Sequence, residues 1–215
     1  MNTKQESLQE LQQIKKMMER SSKFSSVSGL SGIAAGICAL AGMWFIVMAM
    51  AGWKQKHFGN LNAFRDELTA KLLLIAFITF AAAAISSFIF IYFRCKKLGI
   101  PVFGFTARRV MINITIPLFA GSLFIFRLIT TGAYELIAPA CLIFYGLGLI
   151  NSAKYTLSEV KYLGYAQIII GIINLWILEY GLIFWAVGFG LIHIIYGIII
   201  WWKYEKNESE KLQGI

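Results

Sequence analysis

The sequence predicts an all-α integral membrane protein: a six-transmembrane-helix bundle built from consecutive helical hairpins and preceded by an amphipathic helix. The composition, the lengths of the apolar runs and the placement of the basic residues support this prediction. Of 215 residues, 58% are hydrophobic and 14% are charged, whereas soluble domains contain about 45–50% apolar and about 25% charged residues. Six spans of about 20 residues would use about 120 residues, which leaves short loops and tails but no separate soluble domain.

Residues 1–26 precede the first apolar run and predict an amphipathic helix on the cytoplasmic side. Leu8, Leu11, Ile14 and Met18 recur at spacings of three and four residues, so they share one helical face. Three interpretations stay open. The helix lies on the membrane surface, it binds a protein partner or a second copy of the chain, or it docks on its own bundle.

Six apolar runs follow, each long enough to cross the hydrocarbon core of a bilayer, which is about 30 Å thick. Their predicted bounds are 27–51, 72–93, 110–130, 134–153, 162–180 and 182–202. Together they form a transmembrane domain over residues 27–202, and residues 203–215 are the predicted cytoplasmic tail.

Small residues mark the start of the first run. Gly32 and Gly36 stand four positions apart, and Ser28 extends the pattern backwards. This spacing allows two helix backbones to approach closely in lipid. Packing within the chain and dimerisation would both use such a face, and we expect packing within the chain.

Lysine and arginine residues are distributed unequally between the two sides of the predicted bundle. Fifteen lie in the two tails and in the second and fourth loops, whereas four lie in the first loop. Because loops rich in lysine and arginine stay in the cytoplasm, both termini are predicted to be cytoplasmic. The first loop, residues 53–71, is basic for an external segment, and we expect part of it to fold back as an interfacial helix.

The second and third helix pairs share a glycine pattern. Gly121 is followed by Tyr145-Gly146, and Gly171 is followed by Tyr196-Gly197. The pattern predicts hairpins of one orientation, unlike the inverted repeats of many secondary transporters.

Repeated hairpins of this form resemble the HdeD-like acid-resistance membrane proteins, best over residues 110–200. The chain is also similar to small membrane proteins of Bacteroidetes-type bacteria. The resemblance lies in hydropathy and glycine placement, not in a catalytic signature, and the N-terminal amphipathic extension departs from it. It implies a small six-span protein of the bacterial inner membrane.

Ionisable side chains inside apolar runs are costly to bury and are therefore candidate functional groups. Arg127, near the outer end of the third run, is expected to pair with Glu135 at the start of the fourth, and Glu179 is placed to join them. One interpretation is a gate or an anion site at the outer face. The other is a hairpin staple in which Arg127 extends to the membrane surface.

His193 is the deepest ionisable residue, near the middle of the sixth run, on one helical face with Gly190 and Gly197. As a functional group it would respond to protons or contact a ligand, since the pKa of histidine lies near physiological pH. As a structural group it would be neutral and hydrogen-bonded to another helix, through Asn174 or Tyr145.

A second polar group maps near the inner ends of helices three, four and five: Asn113, Asn151, Lys154 and Gln167. Lys154 is expected to pair with Glu159. The group forms either a cytoplasmic vestibule, a site for lipid headgroups, or ordinary interfacial capping.

The sequence lacks HExxH, Walker and GxSxG motifs, and its 2 histidines exclude a multi-histidine metal or haem site. No catalytic residue, metal or cofactor is predicted. The net charge of +9 lies in loops beside apolar runs, which favours contact with anionic lipid headgroups of the bilayer over nucleic acid. We therefore expect a non-enzymatic component in stress response, signalling or scaffolding, and the alternative is a small-solute or proton-linked transporter.

Overall fold

The computed structural model describes residues 28–56 and 61–206, and this part of the chain is helical with no strand. The first five helices are α1 Gly29–Lys56, α2 Leu61–Leu98, α3 Phe105–Thr131, α4 Ile137–Ser152 and α5 Glu159–Trp176. The sixth, α6, runs continuously over residues 181–206 as α-helical Gly181–Trp185, π-helical Ala186–Ile192, α-helical His193–Ile200 and π-helical Trp201–Lys206. The amphipathic helix predicted for residues 1–26 lies outside the described residues.

Short 3₁₀ turns lead into or follow the later helices: Tyr134–Leu136, Ala153–Tyr155 and Leu178–Tyr180. We call the end of the bundle where α1 begins and α6 ends the inner end. The α3–α4 and α5–α6 turns lie at the opposite, outer end.

Five helices of the described residues are long and apolar enough to cross a membrane: Gly29–Gly52, Glu67–Leu98, Phe105–Thr131, Tyr134–Tyr155 and Leu178–Lys206. The predicted all-helical architecture is therefore confirmed, whereas the sixth span stays a prediction. That helix is α5, whose 18 residues extend about 27 Å at about 1.5 Å per residue. Glu159, Lys161 and Gln167 lower its hydropathy.

The expectation that part of the first loop folds back as an interfacial helix is wrong. Leu61 begins a helix that continues for 38 residues to Leu98, about 57 Å at about 1.5 Å per residue. Residues 61–74 contain neither glycine nor proline, so nothing ends or bends the helix before the apolar run. The polar start of α2 thus extends the span instead of folding back against it.

The packing order of the helices differs from their order in the chain. α2 packs on α1, α1 on α6, α6 on α4 and α5, α5 on α4, and α4 on α3. The contact of α6 with α1 is more extensive than its contact with α5, its own hairpin partner. The C-terminal helix therefore joins the two halves of the bundle.

Glycines set the close contact between α1 and α6. A Cβ on Gly32 would lie 3.2 Å from the Cα of Gly197, and a Cβ on Gly197 would lie 2.5 Å from the carbonyl oxygen of Gly29. A Cβ on Gly36 would lie 2.7 Å from the carbonyl oxygen of Gly190. The Gly32 and Gly36 face therefore packs within the chain, as expected.

Glycines also bring α5 against α4, where a Cβ on Gly146 would lie 2.7 Å from the carbonyl oxygen of Gly164. Gly121 of α3 packs on Phe144, and Gly171 of α5 packs on Ile143. Both therefore face α4, one within its hairpin and the other across hairpins. The glycine pattern shared by the two helix pairs does not produce equivalent packing.

Candidate functional site

His193 lies in a closed polar cluster between α4, α5 and α6. It follows the π-helical segment Ala186–Ile192, and its side chain is buried. Nδ1 lies 2.9 Å from the carbonyl oxygen of Gly188, and Nε2 lies 2.9 Å from the hydroxyl oxygen of Tyr145. Because a carbonyl only accepts, Nδ1 of the neutral ring carries the hydrogen and Nε2 accepts from Tyr145. Both ring nitrogens are thus engaged by the protein.

Gln167 is the residue that α5 contributes to this cluster. Its Nε2 donates to the same Gly188 carbonyl at 2.7 Å, so two side chains share one acceptor. The reversed amide would place oxygen against oxygen, so the contact fixes the amide orientation. Nε2 also lies 3.4 Å from Nδ1 of His193, but both atoms direct their hydrogens to Gly188.

Gly188, the shared acceptor, lies within the π-helical segment Ala186–Ile192. A π-turn is wider than an α-turn and recurs at functional sites. A Cβ on Gly188 would clash with Cδ2 of Leu142 and would lie 2.7 Å from Oε1 of Gln167, so a larger residue would displace both side chains. Glycine therefore gives Gln167 and His193 simultaneous access to one carbonyl.

Aromatic rings enclose the cluster. The ring of Phe189 stacks on that of His193 at 5.9 Å and 19°, and Tyr145 lies 5.1 Å from Phe189. Trp185 covers the far side of Phe189 at 5.3 Å. These contacts leave His193 5% exposed, so the cluster is closed and packed. We call it the polar node.

Two polar atoms near this node have no hydrogen-bond partner among the described residues. They are Oε1 of Gln167 and the hydroxyl of Tyr196, one turn further along α6. Gln167 was predicted near the inner end of its helix. It instead lies at the depth of His193, because α5 begins at Glu159, two turns earlier.

Of the two partners expected for His193, Tyr145 is confirmed and Asn174 is wrong. Asn174 lies two turns beyond Gln167, at the outer end of α5, where its Nδ2 donates to the carbonyl of Ile177 at 3.1 Å. Its Oδ1 is buried and has no partner among the described residues. The Asn174 side chain therefore binds the backbone at the C-terminal end of its own helix.

The ion pair predicted between Arg127 and Glu135 is wrong. α3 continues past Arg127 to Thr131 and ends on Gly132, whose φ of 76° is left-handed. Arg127 is exposed and donates to Thr130 at 3.4 Å on its own helix. Glu135 and Glu179 lie on the two outer 3₁₀ turns, which contact each other.

The pair predicted between Lys154 and Glu159 is also wrong. Glu159 accepts hydrogen bonds from Lys203 and, at 2.8 Å, from the hydroxyl of Tyr204. Both donors lie on the π-helical end of α6, which the sequence assigned to the tail. Partial burial favours the neutral carboxyl, but the Lys203 and Tyr204 hydrogen bonds outweigh it and hold the pKa of Glu159 below its usual value.

Glu205 was missed by the sequence analysis. Its Oε1 accepts from the backbone N–H of Gly29 at 2.6 Å and lies 3.7 Å from Arg94 at the inner end of α2. A carboxylate at a helix N-terminus satisfies an unpaired N–H and complements the helix dipole. The last turn of α6 thus binds α5 through Lys203 and Tyr204, and α1 and α2 through Glu205.

Asn151, Asn113 and Lys154 do lie together at the inner end, as predicted. The Nδ2 of Asn151 donates to the carbonyl of Asn113 at 2.8 Å and joins α4 to α3. Asn151 and Lys154 also border an open groove of about 450 Å³, with Pro117, Phe144, Leu147 and Ile150.

The described part of the chain contains no cluster of three or more His, Cys, Asp or Glu side chains that could bind a metal ion. Cys38, Cys95 and Cys141 form no disulfide. Comparisons with protein-family models, with curated proteins and with solved structures found no match to this chain.

Proposed function

We propose that the chain is a six-span protein of the bacterial inner membrane with cytoplasmic termini, and that it is a non-enzymatic component in stress response, signalling or scaffolding. Five candidate spans support this, as does the packing of α5 between α4 and α6. With α5 as the sixth span, the inner end carries the basic loops. The lysine and arginine asymmetry assigns that end to the cytoplasm.

The closed environment of His193 is the observation that carries the non-transporting role. An intramembrane ionisable residue that moves a proton or binds a solute needs access to water or to that solute. Here the imidazole is 5% exposed, one nitrogen is bound by Tyr145, and the other by Gly188. The histidine joins α4 to α6, which is a structural role.

The proposed partners follow from the charge of the inner end. The second loop contains Lys96, Lys97, Arg108 and Arg109 and no acid, so it fits anionic lipid headgroups. Residues 1–26 precede Gly29 in the chain, and Glu205 and Arg94 meet at Gly29. A protein partner or a second copy bound by that segment would therefore be coupled to the inner ends of α1, α2 and α6.

Single-cysteine labelling in intact cells tests the topology. In a chain whose three native cysteines are replaced, we expect Tyr180→Cys to react with a membrane-impermeant maleimide from outside. Ser158→Cys should react only after permeabilisation. These two positions flank α5, and Ala133→Cys serves as the external control. Reaction of Ser158→Cys and Tyr180→Cys from the same side would contradict the six-span proposal.

Flux through proteoliposomes tests the functional class. We expect wild-type protein to dissipate a proton gradient no faster than empty liposomes, and His193→Ala to give the same rate. Flux above that of empty liposomes that His193→Ala abolishes would instead establish transport through the node.

Transport is the second candidate function, because two buried acceptors have no partner within the described residues. They are Oε1 of Gln167 on α5 and the hydroxyl of Tyr196, one turn beyond His193 on α6. Such atoms would bind water or a solute if the π-helical segment opened. Flux that Gln167→Leu abolishes while the protein remains folded would favour this function.

A further inference from the structure

A groove between α3 and α4 near the inner end has one apolar and one polar end. Pro117, Phe144, Leu147 and Ile150 line most of it, and Asn151 and Lys154 close it. Its volume of about 450 Å³ lies within the range of about 300–1,000 Å³ typical of small-molecule sites. An occupant would therefore need an apolar body and one polar end.

The contact between Asn151 and Asn113 fixes the register of the two helices at the polar end of the groove. α3 and α4 are antiparallel, since a short turn joins them. Arg109 precedes Asn113 by one turn, and Lys154 follows Asn151 by one turn. Both cations therefore lie on the inner side of the same contact, beyond the apolar lining.

Arg109 is held beside the 3₁₀ turn that carries Lys154. Its guanidinium lies 4.3 Å from the ring centroid of Phe105 and 5.6 Å from that of Tyr155, the neighbour of Lys154. These cation–π contacts orient the guanidinium without neutralising it. The two exposed cations thus lie at the same inner end of the α3–α4 pair, Lys154 in the groove lining and Arg109 beside the turn that carries it.

The nearest acid in the sequence does not neutralise these cations. Glu159 follows Lys154 by five residues, but Lys203 and Tyr204 of α6 engage its carboxylate. The inner end of the groove therefore remains positive, and charge complementarity selects an anion.

We propose that this groove binds one anionic phospholipid, with an acyl chain along Pro117, Phe144 and Leu147 and the phosphate between Arg109 and Lys154. A lipid fits better than a soluble anion, because the lining is apolar and opens on the face that α3 and α4 present to the bilayer. The site rests on the proposed membrane location, and it needs only these two spans. A lipid phosphate would join α3 to the turn after α4.

Lipid retention by purified full-length protein tests the site. In native mass spectrometry from a mild detergent, we expect dioleoylphosphatidylglycerol to bind in preference to dioleoylphosphatidylcholine, which has the same acyl chains. Two basic contacts, each worth about fivefold in affinity, predict about 30-fold weaker binding of the anionic lipid to the double variant R109Q/K154Q. Leu147→Trp should weaken binding by filling the groove while leaving both cations.

Lys161→Gln is the matched control, because Lys161 lies over Tyr165 on α5, away from the groove. It should bind phosphatidylglycerol as wild type does. Equal binding of the two lipids by wild type, or unchanged binding by R109Q/K154Q, would overturn the proposal. Lipid-free thermal unfolding checks that each variant is folded, and Leu147→Trp gives an independent measurement if the double variant is not.

Labelling at Ser158 and Tyr180 distinguishes this proposal from the six-span proposal. Those positions report on α5, whereas the groove is built from α3 and α4, each of which is a candidate span. Either proposal can therefore be contradicted without contradicting the other.

Discussion

The hydroxyl of Tyr145 lies 2.9 Å from Nε2 of His193, across the interface of α4 and α6. The contact joins α4 to α6, and Gln167 of α5 binds α6 through the carbonyl of Gly188. His193, Tyr145, Gln167 and the Gly188 carbonyl together therefore link three helices. Its other nitrogen is committed to that same carbonyl.

Tyr145→Phe is predicted to destabilise the protein without changing its oligomeric state. The variant leaves Nε2 of His193 without its donor, and interhelical hydrogen bonds in membranes contribute about 0.6 kcal/mol on average and up to about 1.7 kcal/mol. We expect the melting temperature in detergent to fall by about 2–4 °C per kcal/mol. Tyr162→Phe is the control, since Tyr162 is 70% exposed.

The double variant Y145F/H193A isolates the coupling between the two residues. The loss of stability in the double variant should be smaller than the sum of the losses in the two single variants, because both single variants remove the same hydrogen bond. Additive losses would show that Tyr145 and His193 act independently.

Gly188→Ala is predicted to disrupt the polar node. The new Cβ would clash first with Cδ2 of Leu142 and would lie 2.7 Å from Oε1 of Gln167, and such overpacking typically costs about 1–3 kcal/mol. Gly181→Ala on the same helix is the control, because its nearest contact would be an ordinary 3.4 Å to Ala138. Equal melting temperatures for the two variants would show that Leu142 and Gln167 move aside freely.

Gly197→Ala is predicted to separate α1 from α6. The Cβ would meet backbone atoms, 2.5 Å from the carbonyl oxygen of Gly29 and 2.7 Å from the nitrogen of Ile33, so a side-chain rotation cannot relieve the clash. We expect a lower melting temperature at unchanged molar mass in size-exclusion light scattering. Gly52→Ala, with open space around its Cβ, should be neutral. Loss of a dimer in Gly197→Ala would instead place this glycine face between copies.

Stability is predicted to fall in acid through Glu159. The hydrogen bonds to Lys203 and Tyr204 lower the pKa of Glu159 in the folded protein, so the folded state stabilises the carboxylate. This contribution is present above the ordinary value of 4.5 and is lost as the pH falls through the lower folded pKa. It should stay below about 1 kcal/mol, because Lys203 is largely exposed and solvent screens the pair.

Melting temperature against pH for wild type and Glu159→Gln measures this contribution. The two curves should converge below the folded pKa and diverge at neutral pH, where wild type is more stable. Glu135→Gln at the outer end is the control. Parallel curves for wild type and Glu159→Gln would show that the carboxylate contributes nothing through its charge.

Much of the helical framework was predictable, because each helix leaves a local signal in the chain. Apolar runs and their lengths anticipated α1, α3 and α4, and the spacing of Gly32 and Gly36 anticipated a close helix contact. The predicted helix boundaries were wrong where a helix continues through polar residues, as it does after Leu61 and at the end of α6. Polar residues mark the end of an apolar run, but a helix can continue through them.

The partners of polar side chains were predicted less well. The sequence predicts Tyr145 as a partner of His193, yet it places Gln167 at the wrong depth and gives no signal for the contacts of Glu205. Lys154 and Arg127 are predicted to pair with acids close in sequence, whereas Glu159 pairs with Lys203, 44 residues away. Sequence proximity misleads here because α5 and α6 are antiparallel, so the start of α5 meets the end of α6.

The sequence by itself determined which segments are apolar helices, where the basic residues lie and which glycines allow close approach, since these depend on composition and on the period of one helix. Only the tertiary structure decided that α6 packs against α1, that Gln167 meets His193 and that Glu205 caps α1. Those contacts depend on the rotation and register of one helix against another. That geometry is set by the close packing of side chains and backbones across the whole bundle.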